Sequence, residues 1–244
     1  MRLAKQFNDT IQQQLNIFAA WLPVANNFQL GDYGIMDDGV FTKMGNIKEL
    51  DVEITTGKGQ DAKIDFTSAS TKVINFAAGV EVDVIPAGAL DAKVTFEFQN
   101  AQSMLIKSPA INVDIIENVN EIGQKLIANS KWQRKFKVVY QTYVANDVAI
   151  MSTIDAGTKI TFSGDVKALQ QLNVGNASIG FQSTRKLGLD LHGVVGVVGL
   201  GLFQIARGGF LGLGASEIKI LGDEEKGDEL EIQYLTPKNE FNDL

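Results

Sequence analysis

The chain has 244 residues, enough for one large domain or two small ones, and its 45% hydrophobic content supplies a core and excludes disorder by composition. A net charge of −7 excludes bulk attraction to nucleic acid. The absence of cysteine excludes disulfides, thiolate nucleophiles and zinc–thiolate sites, and 24 glycines against 4 prolines suit a sheet with many turns.

Met1-Arg2-Leu3-Ala4-Lys5-Gln6 leads into an amphipathic pattern and not into the continuous apolar core of a signal peptide. Leu3, Phe7, Ile11, Leu15 and Phe18 recur every three or four residues among glutamines and asparagines. That spacing predicts one apolar stripe on a helix of about five turns, extended by Trp21 and Leu22 and stopped by Pro23. Asp38-Gly39 then marks a tight hairpin turn.

From residue 51 to 99 the period changes to two. Ala62, Ile64 and Phe66 alternate with Asp61, Lys63 and Asp65; Val80, Val82 and Val84 alternate with Glu81 and Asp83. Ala92, Val94, Phe96 and Phe98 alternate with Lys93, Thr95 and Glu97. These are antiparallel strands with one wet and one apolar face. A helix is expected over 118–129, with Asn118 and Glu121 at capping-box spacing and Val119, Ile122, Leu126 and Ile127 on its apolar face. Two further strands are expected over 136–144 and 148–154, joined by an Asn146-Asp147 turn, with weaker strands near 159–162 and 177–182. Residues 191–205 alternate valine and glycine, and the stretch from Gly222 is acidic, with Asp223, Glu224, Glu225, Asp228, Glu229 and Glu231 against Lys226. The expected fold class is α+β: a twisted antiparallel sheet with an N-terminal amphipathic helix and a few packing helices. It reads as a single domain over 1–244, with the helix at 1–22, a sheet-rich core at 31–206 and an acidic tail at 207–244.

Little in the chain points to catalysis. The single histidine, His192, sits among leucine, glycine and valine, and no Gly-x-Ser-x-Gly elbow is present. Gly57-Lys58-Gly59 lacks the rest of a phosphate-binding loop, and no helix pairs carboxylates at metal-ligand spacing. The reading is therefore of a protein that is not an enzyme and takes no cofactor or metal.

Two surface features go beyond a plain soluble sheet. No stretch reaches the roughly 18 to 20 apolar residues of a spanning helix, but a spanning strand needs only about 9 to 11 with alternating faces. Residues 71–85 and 89–99 meet that length, and 136–145 with 147–154 form a second pair. Their apolar positions give Val80, Val82, Val84, Val94, Phe96, Phe98, Val148 and Ile150 as candidate membrane-inserting residues. The second feature is Lys131-Trp132-Gln133-Arg134-Lys135-Phe136-Lys137, four cations and two aromatics in seven residues. Such a cluster can engage anionic lipid headgroups at roughly 1 kcal/mol per cation. Lys131, Trp132, Arg134, Lys135 and Lys137 are thus candidate lipid-binding residues, with Arg185 and Lys186 as a smaller echo.

The order of these elements resembles the pore-forming domain of the gasdermins over roughly residues 1–206. The stretch of helix, basic link and Val/Tyr-rich strand through Val138, Val139, Tyr140 and Thr142 is similar to that family. So is Gln182-Ser183-Thr184-Arg185-Lys186 leading through a turn at Gly193 to Leu202-Phe203-Gln204-Ile205. The resemblance implies a membrane-active protein of defence and cell death. It would be held soluble in the cytoplasm, released by a trigger such as an activating protease, and assembled into a homo-oligomer on anionic lipids by inserting two strand pairs. The alternative is a structural self-assembling subunit of a virion, tail or sheath, using the same strand edges without membrane activity.

Overall fold

The structure is a computed structural model that describes residues 3–37, 39–176, 178–207 and 230–237. In chain order the first elements are α1 (Leu3–Leu15), β1 (Phe18–Ala19), β2 (Asp32–Asp37), β3 (Val40–Asn46) and a 3-10 turn (Ile47–Leu50). Then follow β4 (Thr56–Lys58), β5 (Ala62–Thr67), β6 (Thr71–Ala77), β7 (Val80–Val82), β8 (Ala92–Phe98) and β9 (Met104–Ile116). After α2 (Val119–Ala128) come β10 (Lys137–Thr153), β11 (Thr158–Ser163), α3 (Val166–Gln170), β12 (Gly180–Ser183), β13 (Leu187–Arg207) and β14 (Leu230–Leu235). The chain is a mixed α+β protein dominated by antiparallel sheet, with a helix at its N-terminal end.

The residues gather into two compact units. One comprises Met1–Gln60, Asn112–Val144 and Val197–Leu244; the other comprises Asp61–Ile111 and Ala145–Gly196. The long strands β9, β10 and β13 each contribute residues to both.

In the first unit the strand order β1-β13-β10-β2-β3 is extended by β14 on β13. One face of this sheet, with Val138, Phe203, Ile205 and Ile232, receives Val119, Ile122 and Leu126 of α2. The other face, with Val139, Leu200, Leu202 and Leu235, packs against Phe18, Ala20 and Phe41. A Cβ on Gly123 would lie 2.4 Å from Ile232 Cδ1, so glycine is what lets α2 approach β14 so closely. Asp32 is fully buried: its carboxylate accepts from Gln29 N at 2.8 Å and Asn46 Nδ2 at 2.8 Å, and Lys43 Nζ lies 2.9 Å away. Asn46 also forms a true capping box with Glu49 on the 3-10 turn.

The second unit is a two-layer core. The sheet β12-β11-β8-β6-β7 turns Val94, Phe96, Phe98, Ile160 and Phe162 inward onto Leu105, Ala149 and Met151, with α3 supplying Ala168 and Leu169. Its other face sets polar pairs beside Ile74 and Phe76 of β6. Cross-strand pairs Lys72–Glu97 and Glu97–Lys159 form a charge ladder, with Lys159 Nζ 3.4 Å from Glu97, and the Thr95 and Thr161 hydroxyls hydrogen bond at 2.9 Å.

Several expectations are corrected. The first helix ends at Leu15, because Asn16 takes a left-handed conformation (φ 54) and its N–H bonds Gln12 O; Phe18 and Ala19 are strand. The 71–85 segment is not one strand, since Ala78 (φ 49) and Gly79 (φ 79) turn it back on itself between β6 and β7. Residues 136–145 and 147–154 are not a hairpin: β10 runs straight through Asn146-Asp147, where Asp147 (φ 47) forms a kink against Gly175, a position where a Cβ would meet Asp147 O. Gly193 (φ 68) likewise lies within β13 and ends no strand. The Asn118 side chain forms no cap; it bonds Thr55 N and Glu53 O instead, tying the helix start to the segment before β4. The β2–β3 hairpin forms as expected, although Asp38 itself lies outside the described residues, as does Ala177. Of the acidic tail, Asp223, Glu224, Glu225, Lys226, Asp228 and Glu229 lie outside them too, whereas 230–235 is a sheet strand with Ile232 and Leu235 buried.

Tyr140 lies edge-on to Tyr234, ring centres 4.9 Å apart, and burial pushes its hydroxyl up to about 12, with Tyr143 and Tyr234 adding to the effect. The folded state therefore holds this proton longer than the unfolded chain, whose tyrosines titrate near about 10. Its stabilising contribution is complete below that value and is lost as pH rises toward about 12. Urea midpoints at about pH 9 and about pH 11.5 should show the chain weakening with pH, and a smaller drop in Tyr140→Phe; an identical drop in the variant would contradict this placement.

Candidate functional site

The basic cluster follows α2 in the first unit. Hydrogen bonds Lys131 N to Asn129 Oδ1 (2.9 Å), Trp132 N to Asn129 O (3.0 Å) and Phe136 N to Gln133 O (2.9 Å) wind it into consecutive tight turns. The turns sort the side chains. Lys131, Arg134 and Lys135 are exposed, while the Trp132 ring packs inward between Tyr33 (5.6 Å) and Phe136 (5.3 Å) in the core beneath α2. Trp132 is therefore a packing residue in this state and not a free lipid anchor. Lys137 is half-buried at the start of β10 and donates to Gln204 Oε1 at 3.2 Å. Lys131 also shares a polar groove of about 330 Å³ with Glu49 and Asp51, which dilutes the positive field on that side.

Arg185 and Lys186 belong to the second unit, just after β12. The Ser183 hydroxyl donates to Arg185 O at 2.7 Å, and the Arg185 guanidinium lies 4.0 Å from Asp155. Both cations are exposed. The candidate lipid-binding residues thus divide between two units, with three exposed cations in one and two in the other.

The candidate inserting residues divide as well. Val94, Phe96 and Phe98 are fully buried on the core face of β8, and Val148 and Ile150 are fully buried on β10. Val80 and Val84 are 61% and 74% exposed, and Val82 is half-buried. The loop that follows is pinned by Gln170 Nε2 donating to Ile85 O at 2.9 Å, with Ile85 buried and Leu90 fully exposed. A groove of about 270 Å³ lies beside it, lined by Phe76, Gly79, Asp91, Ala92, Lys93 and Thr95.

The split follows from strand order, since β8 lies in the middle of its sheet and β7 at one end. β6 pairs with β8 as Ile74–Thr95 and Phe76–Lys93 on one face, and as Val73–Phe96 and Asn75–Val94 on the other. Ala78 N extends the ladder by one bond, to Asp91 O at 3.1 Å. Continued unchanged, the same register would set Val80 opposite Ala89 and Val82 opposite Ala87, on the face of Ile74 and Phe76. In the folded hairpin the pairs Ala77–Val80 and Asn75–Val82 keep Val80 and Val82 on the face of Val94 and Phe96, as their grouping in the sequence implied, and only a lengthened ladder would move them to the other face. The even positions Ile74, Phe76, Ala78, Val80, Val82 and Val84 form an unbroken apolar series that would share one face only if the strand ran on without the turn. Leu90 was missed altogether.

His192 is packed against Phe162 and Phe181, ring centres at 6.0 and 5.3 Å, and its Nε2–H donates to Val174 O at 2.7 Å. Burial pushes the Asp190 carboxyl up, opposed by the neighbouring His192. Among the described residues no group of three or more His, Asp or Glu side chains could hold a metal ion, and no helix is long and apolar enough to cross a membrane. Comparison of the chain with protein-family models, with characterised proteins and with solved structures finds no match.

The sorting of the basic cluster separates two kinds of substitution. Neutralising Lys131, Arg134 and Lys135 together to glutamine should leave the thermal midpoint in place and weaken sedimentation with anionic liposomes by at least about tenfold. Trp132→Ala should instead cost about 3 to 5 kcal/mol of stability in urea titration. A stable Trp132→Ala protein that has lost only liposome binding would contradict the inward placement.

Proposed function

We propose that this chain permeabilises membranes after assembling with copies of itself, in the manner its resemblance to gasdermin pore-forming domains implies. The observation that carries the reading is the β6–β7–β8 segment. Its three-residue strand β7 and the following loop expose Val80, Val84 and Leu90, an apolar surface that a soluble sheet edge does not need.

Detaching β7 from β6 would let the β6–β8 ladder lengthen in its existing register. Strands 71–83 and 86–98 would then exceed the about 9 to 11 residues that cross a bilayer. Their distal part would carry Val80, Val82, Ala87 and Ala89 on one face, with Val84 at the tip and Asp91 at the base, and Glu81, Asp83 and Gly88 on the other. That is the apolar-out, polar-in pattern of a strand in a closed barrel. Open edges are intolerable in lipid, so insertion requires copies to pair side by side. The buried strand β10 has no comparable exposed extension, so the β6–β8 ribbon is the element assigned to enter the membrane. Lys131, Arg134 and Lys135 supply attraction to anionic headgroups.

Because the chain contains no cysteine, a clamp can be introduced cleanly. Phe76 and Glu81 are directly opposed in the β6–β7 ladder, in the closer, non-hydrogen-bonded type of pair that follows the turn. The reduced Phe76→Cys/Glu81→Cys protein and the wild type should release dye from anionic liposomes, and the oxidised protein should not. Equal release by the oxidised form would defeat the ribbon mechanism. No release by the wild type, under any condition in which the clamp variant is also silent, would leave the structural-subunit reading in its place.

A further inference from the structure

The five-stranded sheet of the second unit ends in β7 on one side and β12 on the other. Both are short, three and four residues, and each leaves alternate backbone groups without a strand partner. In the β6–β7 hairpin the two residues flanking the Ala78-Gly79 turn, Ala77 and Val80, form the closing hydrogen-bonded pair, so the N–H and C=O of Glu81 point away from β6. On the far side Thr184 N bonds Lys159 O at 3.0 Å, which by alternation turns the backbone of Phe181 and Ser183 outward.

The charges on these two edges are opposite. The β7 edge carries exposed Glu81 and, one residue past the strand, Asp83. One residue past the β12 edge come exposed Arg185 and Lys186; among the described residues an ion-pair contact is made by Arg185 alone of the two, with Asp155 at 4.0 Å. Charged side chains on a sheet edge guard it against pairing, and edges of like sign repel one another. Here a β7 edge meeting another copy's β7 edge is repelled, as is β12 meeting β12, while β7 meeting β12 is attracted.

We infer that the partner of this sheet is a second copy of the chain, joined head to tail, with the β7 edge of one copy adding to the β12 edge of the next. Glu81 and Asp83 then face Arg185 and Lys186 across each junction. The contact is heterologous, so it leaves one free edge of each kind after every addition and closes into a ring or continues as a filament. It concerns the folded chain in buffer and does not rest on membrane insertion, which would come afterwards. Val80, adjacent to Glu81, is covered in the same step, which accounts for an exposed valine beside an acidic edge.

The test is a charge swap read by sedimentation velocity over a range of protein concentrations. The wild type should associate progressively at low salt, and less so at about 1 M salt, where ionic screening reaches within about 3 Å. Glu81→Lys/Asp83→Lys makes both edges basic, and Arg185→Glu/Lys186→Glu makes both acidic; each variant alone should remain monomeric. Mixed in equal amounts they should associate again, because every basic edge then finds an acidic one. A variant that merely misfolds cannot be rescued by mixing, and circular dichroism of each checks the fold directly. A strictly monomeric wild type at all concentrations, or variants that associate as the wild type does, would overturn the inference. So would folded variants that stay monomeric when mixed. Dye release measured in parallel separates the two ideas: association that obeys the swap without release removes the pore and keeps the junction, and release that ignores the swap does the reverse.

Discussion

A β-strand shows alternate side chains to opposite surroundings, and the ladder that pairs it with its neighbour decides which set faces which. In the second unit that constraint is set by β6 on β8. Pairing Val73 with Phe96 and Asn75 with Val94 sends the large apolar side chains of β8 inward and leaves Lys72, Lys93 and Glu97 on the other face. The same register determines what any lengthening of the ribbon would present. It also makes Glu81 the outward-facing residue of the edge. Core, candidate inserting surface and candidate junction thus follow from one set of backbone hydrogen bonds.

Much of the architecture was legible in the sequence because period and composition agreed. Helix α2 formed over the expected apolar face of Val119, Ile122 and Leu126. β5, β8 and β11 sit where alternating or β-branched runs predicted strands. What was not legible came from local backbone choices that tertiary contacts decide. Asn146-Asp147 carries a common turn signal, yet β10 absorbs it as a kink because the chain at Gly175 packs directly against the Asp147 carbonyl. Ala78-Gly79 carries a weaker signal and does turn, with alanine accepting a positive φ that only the closed hairpin compensates. Asn118 had the spacing of a cap, but its side chain found partners at Glu53 and Thr55 in a segment far away in sequence.

The candidate site was legible as composition and not as orientation. Counting cations and aromatics located the 131–137 cluster, but only three-dimensional packing shows that Trp132 and Phe136 face Tyr33 while Lys131, Arg134 and Lys135 face solvent. Likewise, apolar alternation located Val80, Val82 and Val84, but the turn at Ala78-Gly79 hid that they fall at the end of the sheet, where Val80 and Val84 are exposed. The opposite charge of the two sheet edges could not be read at all without the strand order, since Glu81 and Arg185 are far apart along the chain and become the two ends of one sheet only after folding.

On meeting a membrane, the β6–β7 segment should change its surroundings with a period of two residues. Single cysteines placed in turn at positions 80 to 84 of this cysteine-free chain, each carrying an environment-sensitive fluorophore, measure that directly on addition of anionic liposomes. A blue shift is expected at Val80, Val82 and Val84, with little change at Glu81 and Asp83. A uniform response along the segment, or none at the valines, would contradict it.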